Sequence, residues 1–171
     1  MMMKSKVKVF FAFCVLATAT IVAQSELVSS QAIFSRTFHE STTIQGSGRA
    51  RSGGKTFQYN INASGGSSGN GSGTFSYKGE QDGLEMVIRA ECVGSFLLNN
   101  TIPVGTLAGP IIGGSSAMTA TGKWVFVGIR DQNPDKIRVV PLSREEALKL
   151  CNQPTDIFPG TVTSGSVSIS H

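Results

Sequence analysis

The chain reads as an all-β protein, a mainly antiparallel sandwich or barrel of about eight strands with one short helix near its C-terminal end. Three observations carry that reading. Apolar residues recur with period two in several separate stretches, the spacing of a half-buried strand. Segments rich in Gly, Ser, Asn and Asp punctuate those stretches. Only one segment, "SREEALKLC" at 143–151, opens with a helix-start pattern. Runs of short strands with a single short helix predict two packed sheets or one closed sheet.

The first residues, "MMMKSKVKVFFAFCVLATATIVAQS", have the layout of a secretory signal peptide: Lys4, Lys6 and Lys8 precede an apolar run, and small residues follow. Ala17-Thr18-Ala19 would allow cleavage after Ala19, and Ile21-Val22-Ala23 after Ala23, the choice favoured here. The apolar stretch is shorter than the roughly 20 residues of a spanning helix, so no stable membrane insertion is expected once the leader is cleaved. The expected organisation is a leader over 1–23 and one secreted β domain over 24–171. The leader removes three of the 15 basic residues and none of the 11 acidic ones. The remainder is close to neutral, which argues against nucleic acid as a partner.

Within the domain, residues 33–39 and 42–44 are the first strand candidates. "GSGRARSGG" at 46–54 reads as an exposed Gly-rich loop carrying Arg49 and Arg51. In residues 56–63, Phe57, Tyr59, Ile61 and Ala63 point one way and Gln58, Asn60 and Asn62 the other. "SGGSSGNGSG" at 64–73 has no large side chain to bury and reads as a flexible loop. Phe75 and Tyr77 resume the alternation, so the two runs predict a hairpin. From Leu84, the set Leu84, Met86, Ile88, Ala90 and Cys92 lines one face, and Phe96 and Leu98 extend the strand past a bend at Gly94. Residues 117–130, "AMTATGKWVFVGIR", read as one long strand, with Trp124 and Phe126 opposite Val125, Val127 and Ile129. Residues 136–140, "KIRVV", follow. In 143–151, Ser143 as N-cap with Glu146 three residues on predicts a helix over 144–151, ended by Asn152 and Pro154. "GSVSIS" supplies a closing strand through Val167 and Ile169.

Once Cys14 leaves with the leader, Cys92 and Cys151 remain. In a secreted chain such a pair predicts one disulfide. It would pin the helix to the strand that carries Cys92. Asn62, Asn70 and Asn99 head Asn-x-Ser/Thr sequons and are the candidate N-glycosylation sites.

Little catalytic chemistry is written in the residues. The domain has His39 and the terminal His171, and no CxxC, HExxH or P-loop pattern. Glu85 and Glu91 share a strand face about 20 Å apart at about 3.3 Å per residue, too far for a carboxylate pair. "DQNPD" at 131–135 alternates oxygens like the start of a calcium loop. Its proline, its flanking strands and the cations Lys136 and Arg138 make it a hairpin turn instead. No catalytic residue, metal ligand or cofactor is therefore assigned.

The order of "GKTFQYNI", "GNGSGTFSYKG", "LEMVIRA", "AMTATGKWVFVGIRDQNPDKIRVV" and "GTVTSGSVSIS" resembles the post-COAP type of secreted bacterial β domain over residues 53–170. The chain departs from that pattern in its "SREEALKLC" helix and in Cys92 and Cys151. The resemblance implies an extracellular, non-enzymatic β module and carries over no catalytic residue. The expected function is accordingly binding or structural work at the cell exterior, with an extracellular partner. The alternative is a carrier of a small apolar ligand or a barrel-type isomerase, its interior lined by Phe57, Tyr59, Met86 and Trp124.

Overall fold

The computed structural model of the chain describes residues 34–36, 41–119, 123–154 and 156–170. The predicted leader, His39 and His171 lie outside them. Ten strands and two helices follow one another: β1 (Phe34–Arg36), β2 (Ser41–Ser52), β3 (Lys55–Gly66), β4 (Gly71–Gly79), β5 (Glu85–Arg89), β6 (Cys92–Leu98), β7 (Ile102–Gly114), α1 (Ser116–Thr119), β8 (Trp124–Arg130), β9 (Lys136–Leu142), α2 (Arg144–Asn152) and β10 (Gly160–Ser170).

The fold is mostly β, antiparallel throughout its described pairings, with the short helix α2 where the capping box predicts it. From β7 the hydrogen-bonded order runs through β5, β4, β3, β2, β10, β9 and β8, and β8 pairs back onto β7. Eight strands thus close a ring, which decides for a barrel over a sandwich. The narrowest seam is β9 to β10, where only Ile137 and Lys136 find partners, Gly160 and Thr161. Beyond the ring, β6 continues the line of β5 along the same edge of β7, and β1 pairs with β6.

Alternation sorts the side chains. Phe57, Tyr59, Ile61, Phe75, Met86 and Ile88 meet Ile44, Val125, Val127, Ile129, Ile137 and Val167 inside the barrel. The opposite face of β7 and β8 carries Ala108 and Phe126, and α2 covers it with Ala147 and Cys151. A third cluster joins Phe96, Leu98 and Val104.

Several expectations change. The longest strand, β7, went unpredicted because Pro103, Pro110, Gly105 and Gly109 argue against a central strand. Each has a place in it. Ala108 pairs with Cys92 of β6 and Ile111 with Ile88 of β5, so Pro110 sits at the changeover between partners. Ile111 donates its amide to Lys123 O on the β8 side, 3.4 Å away. Successive amides alternate in direction, so the N–H that Pro110 lacks falls where the ladder is already broken. A Cβ at Gly109 would collide with the Arg89 carbonyl oxygen. The break between β5 and β6 lies at Ala90 and Glu91, not at Gly94.

The "GSGRARSGG" segment is not a loop. Residues 46–52 are the second half of β2, and only Gly53 and Gly54, both at positive φ, make the turn. Gly46 and Gly48 face inward, where a Cβ would strike the Ser166 and Ser164 carbonyl oxygens of β10. Likewise "SGGSSGNGSG" is mostly strand. Its turn is pinned: Val93 donates to Gly69 O at 3.0 Å and Gly71 to Glu91 O at 3.2 Å. The long strand predicted over 117–130 begins only at Trp124. Ser115 N–H donates to Glu85 O and Met118 N–H to Ser115 O, turning the chain into α1 first.

Candidate functional site

Cys92 and Cys151 are joined, Cα to Cα 6.4 Å. The bond lies beneath α2 within the cluster around Phe126. Thr106, fully buried, donates its hydroxyl to Cys151 O at 2.8 Å, so α2 is tied to β7 as well as, through the disulfide, to β6.

The "DQNPD" segment is the β8–β9 turn, closed by the pair Arg130 and Lys136. Its Asn133–Pro134 peptide is cis. The Asp135 carboxylate accepts from two main-chain amides, Gln132 N at 3.2 Å and Val167 N at 2.9 Å. Asp135 O accepts from Val162 N at 2.9 Å. The side chain thus locks the turn to β10 just past the narrow seam, a role that its alternation with Asp131 and Asn133 did not reveal. Among the described residues, no three His, Cys, Asp or Glu side chains gather as a metal cluster.

Of the residues proposed to line a ligand cavity, Phe57, Tyr59 and Met86 face the interior within the core cluster, and Tyr59 and Met86 also line the largest described hollow. Trp124 does not face the interior. It lies on the outer side beneath α2, with the Arg144 guanidinium 5.2 Å over its ring. Tyr59 has a buried hydroxyl with no hydrogen-bond partner. Burial, and then the charge of Asp135, raise its pKa from 10.0 to about 12. Tyr77 stacks on Phe57 at 4.8 Å, and burial followed by Asp82 raises its pKa too.

The three sequons fall on exposed asparagines. Asn70 is in the β3–β4 turn and Asn99 in the β6–β7 turn, at positive φ. Asn62 stands in the middle of β3, on the outer face.

That outer face is an extended polar surface. The register of β10, β2, β3, β4 and β5 aligns side chains into rows that run across the strands. One row is Ser166, Ser47, Asn60 and Ser76, ending at Val87; the next is Ser168, Gln45, Asn62 and Thr74, ending at Arg89. A third, Ser170, Thr43, Ser64 and Ser72, spans four strands. Neighbouring rows lie two residues apart, about 7 Å, and neighbours within a row one strand apart, about 4.8 Å. Up to the Val87 and Arg89 ends, these rows hold only hydroxyls and amides. Charges stand at the margin, Arg51 at the end of β2 among them, and those nearest the rows are paired: Arg49 with Glu80 at 2.7 Å, Lys78 with Glu85 at 2.6 Å, Arg89 with Glu91 at 2.9 Å. The bond to Glu85 raises the Lys78 pKa, and the Leu84 amide, then Lys55, lower that of Asp82.

Where the first row meets Arg49, Gln58, Lys78 and Glu85, the face opens into a hollow of about 1050 Å³. It is the largest of the described hollows, and Tyr59, Tyr77 and Met86 of the inner face line it together with these outward side chains. The sequence reading missed this face because it took the second half of β2 for a loop. The signal was present: Thr43, Gln45, Ser47 and Arg49 alternate with Ile44, Gly46, Gly48 and Ala50, a period of two with glycine on the inner side. No protein-family model matches the chain, and neither a curated protein nor a solved structure is similar to it.

Proposed function

We propose that the chain is a secreted, non-enzymatic β domain that binds at the cell exterior, and that the polar outer face of β10, β2, β3, β4 and β5 is its binding surface. The observation that carries this reading is where space and polar groups sit. The largest described hollow is lined mostly by side chains that donate and accept hydrogen bonds, among them Ser47, Arg49, Gln58, Asn60, Ser76 and Lys78 of the outer face. The disulfide suits an oxidising compartment, and with the Lys-rich leader it supports secretion. The resemblance to post-COAP domains points the same way, and N-glycans on Asn70 or Asn99 belong to the same proposal, whereas one on Asn62 would cover the binding face. The carrier or isomerase reading would need an apolar void deeper in the barrel, where Ile61, Phe75 and Ile88 pack.

The test is retention of labelled protein on intact source cells and their matrix. Asn60→Glu, in the hollow, is expected to lower retention at least tenfold. Lys149→Glu, on the exposed side of α2, is expected to leave it unchanged. Equal retention of both variants, or none of the parent protein, would overturn the proposal.

A further inference from the structure

Resting on that binding reading, we infer that the ligand of the outer face is a neutral polysaccharide, held by hydrogen bonds along the cross-strand rows. Four features of the face converge on it. First, Ser47, Asn60 and Ser76 in one row and Gln45, Asn62 and Thr74 in the next carry no charge. The ions nearest these positions, Arg49, Lys78 and Arg89, are already paired with acids, and Arg51 stands beyond Arg49 at the end of β2. A charged polymer would find no unneutralised complement in these rows, so the electrostatic match is to a neutral one.

Second, every one of those side chains is both donor and acceptor. Sugar hydroxyls are the same, so each contact works in either direction. Third, the two rows carry no aromatic, Met or Leu side chain, the anchors on which a protein partner would be expected to close. Fourth, the rows repeat along two directions at about 4.8 and 7 Å. A repeating polymer meets such an array at many points, whereas a single sugar meets it at a few. Affinity should therefore come from multiplicity, with the hollow taking one segment of the chain. The Asn62 sequon lies within the second row, so a glycan attached there would cover the face.

The experiment is co-sedimentation of the purified protein, its Asn62 verified by mass as unmodified, with insoluble cellulose, chitin and a branched β-glucan. Depletion from solution by at least one of them is expected. The depletion should persist in 1 M salt, where the Debye length is about 3 Å. Matching mono- and disaccharides should compete at least a hundredfold less well than the polymer. Asn60→Glu and Thr74→Lys should each lower depletion tenfold or more with unchanged melting temperature, and Lys149→Glu should not.

Depletion that vanishes in 1 M salt would mean an ionic ligand and would overturn the inference. So would depletion indifferent to Asn60→Glu and Thr74→Lys. If no polysaccharide depletes the protein while cell-surface retention stays sensitive to Asn60→Glu, the sugar assignment falls and the binding reading stands. If that retention is also absent, both fall.

Discussion

Tyr59 shows how one atom departs from the general rule of satisfied buried polar groups. Its hydroxyl is buried and unpartnered, so the phenol adds desolvation cost without a compensating bond. Tyr59→Phe is expected to be neutral or to stabilise by up to about 1 kcal/mol in urea unfolding. A loss above about 2 kcal/mol would reveal a partner for that hydroxyl. A folded-state pKa of about 12, against 10.0 for the ordinary group, means that folding holds the phenol proton. Its contribution is then intact below pH 10 and drains away as pH rises through 12. Absorbance titration of the folded protein should show no complete tyrosine ionisation near pH 10. Asp135 is the opposite case, since both carboxylate oxygens are used. Asp135→Ala leaves the Val167 and Gln132 amides without their acceptor and should cost about 1–3 kcal/mol, measured by the same unfolding. Asp131 makes its described bond through its backbone, to Pro103 O, so Asp131→Ala should cost less.

At the scale of elements, α2 was the most legible because its signals are local. Ser143 and Glu146 exchange hydrogen bonds, and Ala147 and Cys151 face inward four residues apart, as one helix face requires. Ser143→Ala is expected to cost about 1 kcal/mol. The bonds from Ser143 lower the Glu146 pKa, so the capping box is intact above the ordinary carboxylate range and weakens as pH falls through that lowered value. The disulfide closes a loop of sequence separation 59, worth about 4 kcal/mol in the chain-entropy account. β7 was the least legible, since its glycines and prolines serve contacts with β5 and β6 that only the assembled sheet contains. Gly109→Ala pushes a methyl into the Arg89 carbonyl and should destabilise by about 1–3 kcal/mol or more. A variant as stable as the parent would refute the close approach.

For the whole molecule, ring closure puts apolar side chains inward and leaves polar ones out. The described outer face of β10, β2, β3 and β4 is Ser, Thr, Asn and Gln with Arg49, Arg51 and Lys78 at its margin, the reverse of the apolar band that a barrel shows to lipid. No described helix is long and apolar enough to cross a membrane. Because the interior positions are packed, folded protein should show no saturable binding of a long-chain fatty acid or apolar fluorescent probe in equilibrium titration. Saturable binding that shifts when Phe75 or Ile88 is replaced by alanine would revive the carrier reading.

The sequence by itself determined the β class, the helix with its cap, the hairpins over 57–77 and 124–140, and the one cysteine pair of the domain. Each follows from neighbours a few residues apart, or, for the cysteines, from there being only two. Tertiary structure alone decided that the sheet closes, that β7 joins β8 to β5 and β6, and that β2 is a full strand. It also turned Asp135 from a turn residue into a clasp on β10. The reason is physical: a Gly or Pro declares what its backbone permits, but whether that permission serves a loop or the close approach of another strand depends on a partner far away in sequence. The polar face belongs to that second group. Its alternation is visible strand by strand, yet rows exist only once β10, β2, β3, β4 and β5 are in register.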